Sequence, residues 1–490
     1  MQTFDLIVIG SGSGLEVSAA AAERGMKVAV IEVGPFGGTC LNRGCIPSKM
    51  LVHVADVGRT IAEAERFGIH APIDRIDWPF IVERTFHEID EDSANILEGN
   101  RRADNITVFQ GEARFTGPKR LSVNGDELTA ETIVIAAGTR PTAPDIPGLV
   151  EAGYETTDTI MRIAELPRRL AILGGGFVAA ELGHVFRSLG SEVTIISRGP
   201  TMLSNEDRDI ARTMTEAYRR RFTLLLESTV RSVSRDDRPT RLEVGPSGEG
   251  SGSTSTVECD VVLVATGRAP NTDRLAVDAA GVDTDARGYV RTDGAMRTNV
   301  DGIWALGDIV GKWHLKHSAN LEAAHVANNI LNPEQPAEVD YHAMPWAIFG
   351  SPQIGGVGLT EDEAEEQGVS FAVATYPYDR TAYGSSIEDR DGFVKVLADP
   401  ETGEILGCHV IGHDASILVQ EAVNVMRFRL PIDVLAQSIY IHPALPEVLQ
   451  GAFATLAQQI AATRSGHGNQ HEHDHDEPSE RGDSGGHEHA

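Results

Sequence analysis

Cysteine, lysine and long apolar runs are all scarce in this 490-residue chain. Its four cysteines, Cys40, Cys45, Cys259 and Cys408, are too few for a disulfide-stapled secreted framework, so a bridge between Cys40 and Cys45 would be catalytic. No run of about 18 uninterrupted apolar residues marks a membrane span, although the apolar content of 41% is ordinary for a globular protein. Six lysines stand against thirty-six arginines, and the formal net charge is -30. A field of that sign repels nucleic acid and anionic lipid, so neither is expected as a partner. An acidic, lysine-poor surface suits a high-salt cytoplasm, where screening suppresses self-repulsion. Met1 to Phe4 carry no basic segment and run straight into Leu6-Ile-Val-Ile9, so no secretory leader and a cytoplasmic location are expected.

What is present repeats. Phe4 to Glu32 reads as a strand, the loop Gly10-Ser-Gly-Ser-Gly14, a small-residue helix and a second strand. Arg169 to Arg198 repeats the pattern around Gly174-Gly-Gly176. Glycines there permit a tight turn and let backbone N–H groups approach a pyrophosphate at the positive end of a helix. The third glycine position is Ala179 in the second copy, an accepted variant, and Leu15 in the first, where either looser helix packing or Gly14 must compensate. Glu32 falls about 20 residues beyond its loop, where a carboxylate grips a ribose 2′-hydroxyl. The equivalent position in the second copy is Ser197 followed by Arg198, which favours a 2′-phosphate and hence NADPH over NADH.

Ile133 to Thr139, Val261 to Arg268 and Ile303 to Asp308 read as further strands ending in small-residue turns. Ser232 to Cys259 reads as an exposed hairpin loop, and strands and helices alternate in a separate block from Trp346 to Leu456. The chain turns polar after about Gln459, with six histidines among carboxylates. A solvated acidic tail is the better reading of that segment than a weak zinc, nickel or copper site, and no metal ligand set is assigned. The expected layout is α/β: residues 1–150 and 274–345 form one nucleotide domain, 151–273 a second and 346–460 a third, α+β domain, with 461–490 a disordered tail.

Cys40 and Cys45 are close enough along the chain to bridge, and Pro47 suits a first helical turn, which puts Cys45 near a helix N-terminus where thiolate is favoured. Cys259 and Cys408 stand in apolar surroundings and read as core. His442 can donate and accept protons near neutrality, with Glu447 holding one ring nitrogen.

Gly37-Gly-Thr-Cys-Leu-Asn-Arg-Gly-Cys-Ile-Pro-Ser-Lys49, the two glycine loops, Ala305-Leu-Gly-Asp308 and His442-Pro-Ala-Leu-Pro-Glu447 together resemble the pyridine nucleotide–disulfide oxidoreductases. Leu315-Lys-His-Ser-Ala-Asn320, Ser351-Pro-Gln-Ile354, Ala382-Tyr-Gly384, Ile387-Glu-Asp389 and His413-Asp-Ala-Ser416 are most similar to the mycothione reductase branch. With the acidic composition, the chain resembles haloarchaeal relatives that reduce bis-γ-glutamylcystine. The resemblance implies two Rossmann-like domains, one for FAD and one for NAD(P), and a C-terminal dimerisation domain. It implies FAD at Gly10, Gly12, Gly14, Glu32, Thr39, Lys49, Ala113, Gly138, Asp308 and His317. It implies NADPH at Gly174, Gly176, Phe177, Arg198 and Gly267, with Phe177 as the ring that gates the flavin and Glu181 paired with Lys49. Cys45 would be the thiolate against the flavin and Cys40 the interchange thiol. His442 and Glu447 would come from the second subunit of a homodimer. Reduction of a small disulfide by NADPH follows, with NAD-linked dihydrolipoamide dehydrogenase as the alternative. Mercuric reductase and large thioredoxin reductases are disfavoured, since no cysteine follows Cys408. A flavin-binding signalling protein is disfavoured by the intact dithiol and its histidine.

The charge pattern predicts that unfolding temperature and activity rise from low to molar salt. A thermal melt undiminished in low salt contradicts that reading.

Overall fold

The computed structural model describes residues 1–235, 239–248 and 253–468. Strand β1 (Gln2–Ile9), helix α1 (Gly14–Glu23) and strand β2 (Val28–Glu32) form a parallel βαβ unit with Leu6 opposite Val28 and Ile9 opposite Ile31. These strands are covered on both faces, which is why they read as near-continuous apolar runs. Leu15 does not loosen α1, because Gly14 makes the close approach: a Cβ there would lie 2.8 Å from Val8 Cγ1.

The chain continues through α2 (Gly38–Arg43), α3 (Cys45–Glu63) and α4 (Trp78–Arg102) to β3 (Ile106–Gln110). It then runs through β4 (Ala113–Gly117), β5 (Arg120–Val123) and β6 (Asp126–Ile135). The sheet order is β3-β2-β1-β6-β5-β4, with β6 parallel to β1. Short β7 (Thr139–Pro141) and α5 (Leu149–Ala152) lead out of this unit.

The second βαβ unit is β8 (Arg169–Leu173), α6 (Phe177–Ser188) and β9 (Glu192–Ile196), followed by α7 (Arg208–Arg219) and β10 (Thr223–Leu225). Beyond them, β11 (Ser228–Ser234), β12 (Thr240–Pro246) and β13 (Ser255–Cys259) form a three-stranded antiparallel sheet. The hairpin loop expected from Ser232 to Cys259 is therefore mostly strand. Leu242 and Val244 alternate inward along β12, which runs on into the glycine-rich stretch through Gly245 and Pro246. Strand β14 (Val261–Val264) completes the parallel order β10-β9-β8-β14.

β15 (Arg268–Pro270) then pairs antiparallel with β7, and α8 (Thr272–Leu275) follows. β16 (Ile303–Ala305) returns the chain to the first sheet beside β6, ahead of α9 (Lys316–Leu331). Sequence-distant segments thus share one sheet.

The last unit is antiparallel, ordered β17-β18-β21-β20-β19. It comprises β17 (Pro345–Ile348), β18 (Gln353–Gly358), α10 (Glu361–Glu366), β19 (Ala372–Pro377) and α11 (Ala382–Ser386). β20 (Phe393–Ala398), β21 (Ile405–Gly412), α12 (Ala415–Arg427), α13 (Asp433–Ala436) and α14 (Glu447–Gly468) follow. Helix α14 continues through the helix-compatible Ala461-Ala-Thr-Arg464, so the first residues of the segment expected to be tail are helical. The histidine-rich stretch from residue 469 lies outside the described residues. Cys259 and Cys408 are buried core residues, as the apolar context implied. Among the described residues no helix is long and apolar enough to cross a membrane.

One apolar cluster joins the units. Leu51, Val52 and Ala55 of α3 and Trp78 and Phe86 of α4 pack with Ala179 to Phe186 of α6, and the cluster reaches Ile354 and Ile411 in the last sheet. A buried charge adds a second tie: Lys395 Nζ lies 2.9 Å from Asp207 Oδ1, 2.7 Å from Asp209 Oδ2 and 2.5 Å from Glu361 Oε2. Lys395 and Asp207 are both almost fully buried. Lys395→Met leaves three carboxylates facing one another, and is expected to lower unfolding free energy by about 3–5 kcal/mol. Urea denaturation checks this as a lower midpoint at an unchanged slope.

Candidate active site

The backbone turns sharply at Gly44, so that Cys40 in α2 and Cys45 at the first position of α3 face each other. Pro47 sits in the first turn, where its missing N–H costs no intrahelical bond. Both cysteines are free thiols, and Cys40 is hydrogen-bonded to Cys45. That bond first, and the Lys49 ammonium after it, outweigh burial and Glu181 to bring the Cys45 thiol down to about 7. The same bond, then burial, push Cys40 upward. The exposed N–H groups at the start of α3 favour charge on the same sulfur. The proton belongs to Cys40 and the thiolate to Cys45.

One turn along α3, Lys49 Nζ lies 2.6 Å from Glu181 Oε2 of α6. Phe349 N donates to Glu181 Oε1 at 3.0 Å, and the Phe349 ring lies under the ammonium at 4.7 Å. All three units of the fold meet at this pair.

Cys40, Cys45, Lys49 and Glu181 line a cleft of about 1330 Å³. Its volume exceeds the roughly 300–1,000 Å³ of common small-ligand pockets. Gly10, Gly12, Glu32, Thr39, Ala113, Gly138, Asp308 and His317 line it from the first unit and its return. Gly10 has φ +109°, and a Cβ there would lie 2.3 Å from Ala136 O. Glu32 accepts from Ser11 N and Ser11 Oγ, both at 2.8 Å, and from Gly34 N at 2.7 Å. Asp308 accepts from Thr139 Oγ1 at 3.0 Å. His317 donates from Nε2 to Pro345 O at 2.8 Å.

Gly176 and Phe177 line the cleft from the second unit, with the Phe177 ring half exposed. Gly174 lies behind the wall and makes the turn, at φ +122° with a Cβ position 2.3 Å from Ala265 O. Gly14 and Gly267 are likewise outside the lining, and Arg198 is exposed at the end of β9, beside Ser197, which does line the cleft. His442 and Glu447 are elsewhere. Nδ1 of His442 lies 2.8 Å from Glu447 Oε1, and Ala444 N donates to Glu447 Oε2 at 3.1 Å. The His442 side chain is 71% exposed, and neither residue reaches the cleft of its own chain.

Several cleft residues escaped the sequence reading. Thr157 Oγ1 and Asp158 Oδ1 are buried on the cleft wall without a hydrogen-bond partner, as expected where a polar ligand supplies the missing contacts. These orphans, and the tight turns at Gly10 and Gly174 with no room for a Cβ, fit a dinucleotide. Lys316 donates to Ser13 Oγ at 2.8 Å, and buried Glu322 accepts from Gly307 N at 2.6 Å, holding the turn that carries Asp308. A lone carboxylate in a helix of small residues was the available signal for Glu322. Lys316 could have been found as one of so few lysines.

Residues 4–329 match the family described as Pyridine nucleotide-disulphide oxidoreductase, and residues 344–453 match its dimerisation domain. The chain is 40% identical over 476 residues to mycothione reductase of Mycobacterium tuberculosis (strain ATCC 25618 / H37Rv), covering 93% of this chain and 100% of that one. It is 37% identical over 454 residues to dihydrolipoyl dehydrogenase of Chlamydia trachomatis, covering 91% and 95%. It is also similar to the solved Cu(II) complex of HOCl-induced flavoprotein disulfide reductase RclA from Escherichia coli, with a TM-score of 0.82 and 28% identity over 93% of this chain and 100% of that one.

Alkylation of the reduced, flavin-free protein by iodoacetamide is expected to rise with pH through a midpoint of about 7 at Cys45, with Cys40 labelled more slowly wherever no base takes its proton. Peptide mass spectrometry across a pH series checks which sulfur is labelled.

Proposed function

The chain belongs to the pyridine nucleotide-disulphide oxidoreductases, flavoenzymes that act on sulfur groups, and from that premise we propose that it reduces a low-molecular-weight disulfide with NADPH. Bis-γ-glutamylcystine is the foremost substrate and mycothione the next. The reading rests above all on the polarised dithiol, Cys45 lowered and Cys40 raised, on the wall of a cleft that both glycine loops approach.

FAD would be held by Gly10, Gly12, Glu32, Thr39, Ala113, Gly138, Asp308 and His317, with Lys49 near its ring and Gly14 setting the helix behind it. NADPH would be held by Gly176, Phe177 and Arg198, on a frame shaped by Gly174 and Gly267. Ser197 offers no carboxylate to repel a 2′-phosphate, and the exposed Arg198 supplies a cation. A bound flavin supplies two-electron transfer between the nicotinamide and the sulfur pair.

The chain's own residues carry the rest. Cys40 passes its proton to His442 of the partner subunit and attacks one sulfur of the substrate, so that a Cys40–substrate disulfide forms and the substrate's own S–S bond breaks. The leaving thiolate takes a proton from His442 of the partner subunit, whose Nδ1–H is held by that subunit's Glu447. The Cys45 thiolate then attacks Cys40 Sγ, closing the Cys40–Cys45 bridge and releasing the second half of the substrate as a thiolate, which takes a proton from solvent. Two electrons from NADPH reopen the bridge. Lys49, anchored by Glu181, holds the charge on Cys45 between these steps.

A homodimer is part of this reading. His442 stands on an exposed stretch with Ile439 and Ile441, apolar side chains that a second copy would cover. The similarity to dihydrolipoyl dehydrogenases supports one alternative, the same parts running toward NAD with dihydrolipoamide.

Purified holoenzyme assayed with bis-γ-glutamylcystine, mycothione, glutathione disulfide and lipoamide is expected to prefer NADPH over NADH and bis-γ-glutamylcystine over the rest. Cys40→Ser should abolish turnover with flavin still bound, and His442→Gln should lower kcat by about 10²–10⁴-fold. Faster NAD-linked dihydrolipoamide oxidation would favour the alternative.

A further inference from the structure

Away from the sulfurs, α3 and α6 are joined by a second polar rung, buried at His184 and partly open to solvent at Asp56. His184 of α6 is fully buried one turn beyond Glu181, and its Nε2 lies 2.8 Å from Asp56 Oδ1, two turns beyond Lys49 on α3. Its Nδ1 lies 3.1 Å from Ser188 Oγ and 3.3 Å from Arg221 Nη2. Arg221 also donates to Ser188 Oγ at 3.1 Å and to Ser351 O at 3.0 Å. Burial, with the Arg221 and Arg59 cations, outweighs Asp56 and lowers the His184 pKa, so the ring is neutral near pH 7. Its partners assign the tautomer: Nε2–H donates to Asp56, and Nδ1 accepts from Arg221. The helices are close here, since a Cβ on Gly58 would lie 3.1 Å from Ser188 O.

Both helices begin at the cleft, α3 with Cys45 and α6 with Phe177. Sliding or rolling one helix on the other would move Lys49 relative to Cys45. The Lys49–Glu181 contact cannot prevent this alone, because Lys49 is a long, flexible chain whose ammonium can follow Glu181 as the helices shift. The inner rung has a fixed ring, the short side chains of Asp56 and Ser188, and four hydrogen-bonded members.

We propose that His184 is a positioning residue for the dithiol: through Asp56, Ser188 and Arg221 it sets the register of α3 on α6, and so places the Lys49 ammonium beside Cys45. This rests on the reading of Cys45 as the working thiolate. The charged groups facing that sulfur are Lys49 and Glu181, with Cys40 as its hydrogen-bond partner.

The test is the pH profile of the Cys45 thiolate in reduced holoenzyme, read from the long-wavelength absorbance of a thiolate in contact with flavin, with thermal melts as folding controls. His184→Leu is expected to raise the midpoint by about one pH unit, a roughly tenfold loss of thiolate below it. His184→Gln, whose amide can donate to Asp56 and accept from Arg221, should restore most of the wild-type profile. In a Lys49→Met background His184→Leu should add no further shift. Where His184→Leu does not fold, Asp56→Asn carries the test, with a shift of the same sign. An unchanged midpoint in the folded variant, or a shift fully additive with that of Lys49→Met, overturns the positioning role and leaves the proposed reaction standing. A wild-type Cys45 that titrates like an ordinary thiol overturns the parent reading instead.

Discussion

The ion pair between Lys49 and Glu181 is the contact on which the rest of the site depends. Glu181 is a buried carboxylate, and a buried charge persists only if it is paired and its remaining lone pairs are satisfied. Lys49 supplies the charge and Phe349 N the hydrogen bond. Each comes from a different unit, so the requirement of one carboxylate holds three layers to one geometry. Cys45 benefits because the ammonium recruited to satisfy Glu181 lies one helical turn from its sulfur. Glu181 partly opposes that benefit, which makes the placement of the cation between the two groups decisive.

The few lysines are placed with the same logic. In a chain that uses arginine for most positive charge, Lys49 and Lys316 line the cleft, buried Lys395 sits among three carboxylates, and Lys312 caps the Tyr341 ring at 3.7 Å. A compact ammonium with three rotatable donors fits between converging oxygens where a planar guanidinium fork would not. Arginine predominates in the exposed pairs, such as Arg140 with Asp273 and Arg162 with Asp90, where bidentate geometry is available.

Local pattern made much of the architecture legible. Both βαβ units announce themselves by apolar strands, glycine turns and small-residue helices, and the placement of Cys45 at a helix start follows from Pro47 and the turn before it. The errors are also local. Between Ser232 and Cys259 the glycines and serines of one stretch masked the alternation of Leu242 and Val244. Near residue 461 polar composition was taken for the end of α14. The unforeseen residues, Thr157, Asp158, Glu322 and His184, are single polar groups in unremarkable segments, and their importance lies in what they face.

By itself the sequence determined where backbone must turn, which strands are covered on both sides, and that two thiols a few residues apart sit at a helix start. Those outcomes depend on steric limits and on neighbours within a few residues. Only the tertiary structure decided that Lys49 meets Glu181 across 132 positions, that His184 bolts the same two helices, and that His442 faces away from the sulfurs of its own chain. Such meetings are set by how apolar faces pack, and packing joins residues that no spacing in the chain relates.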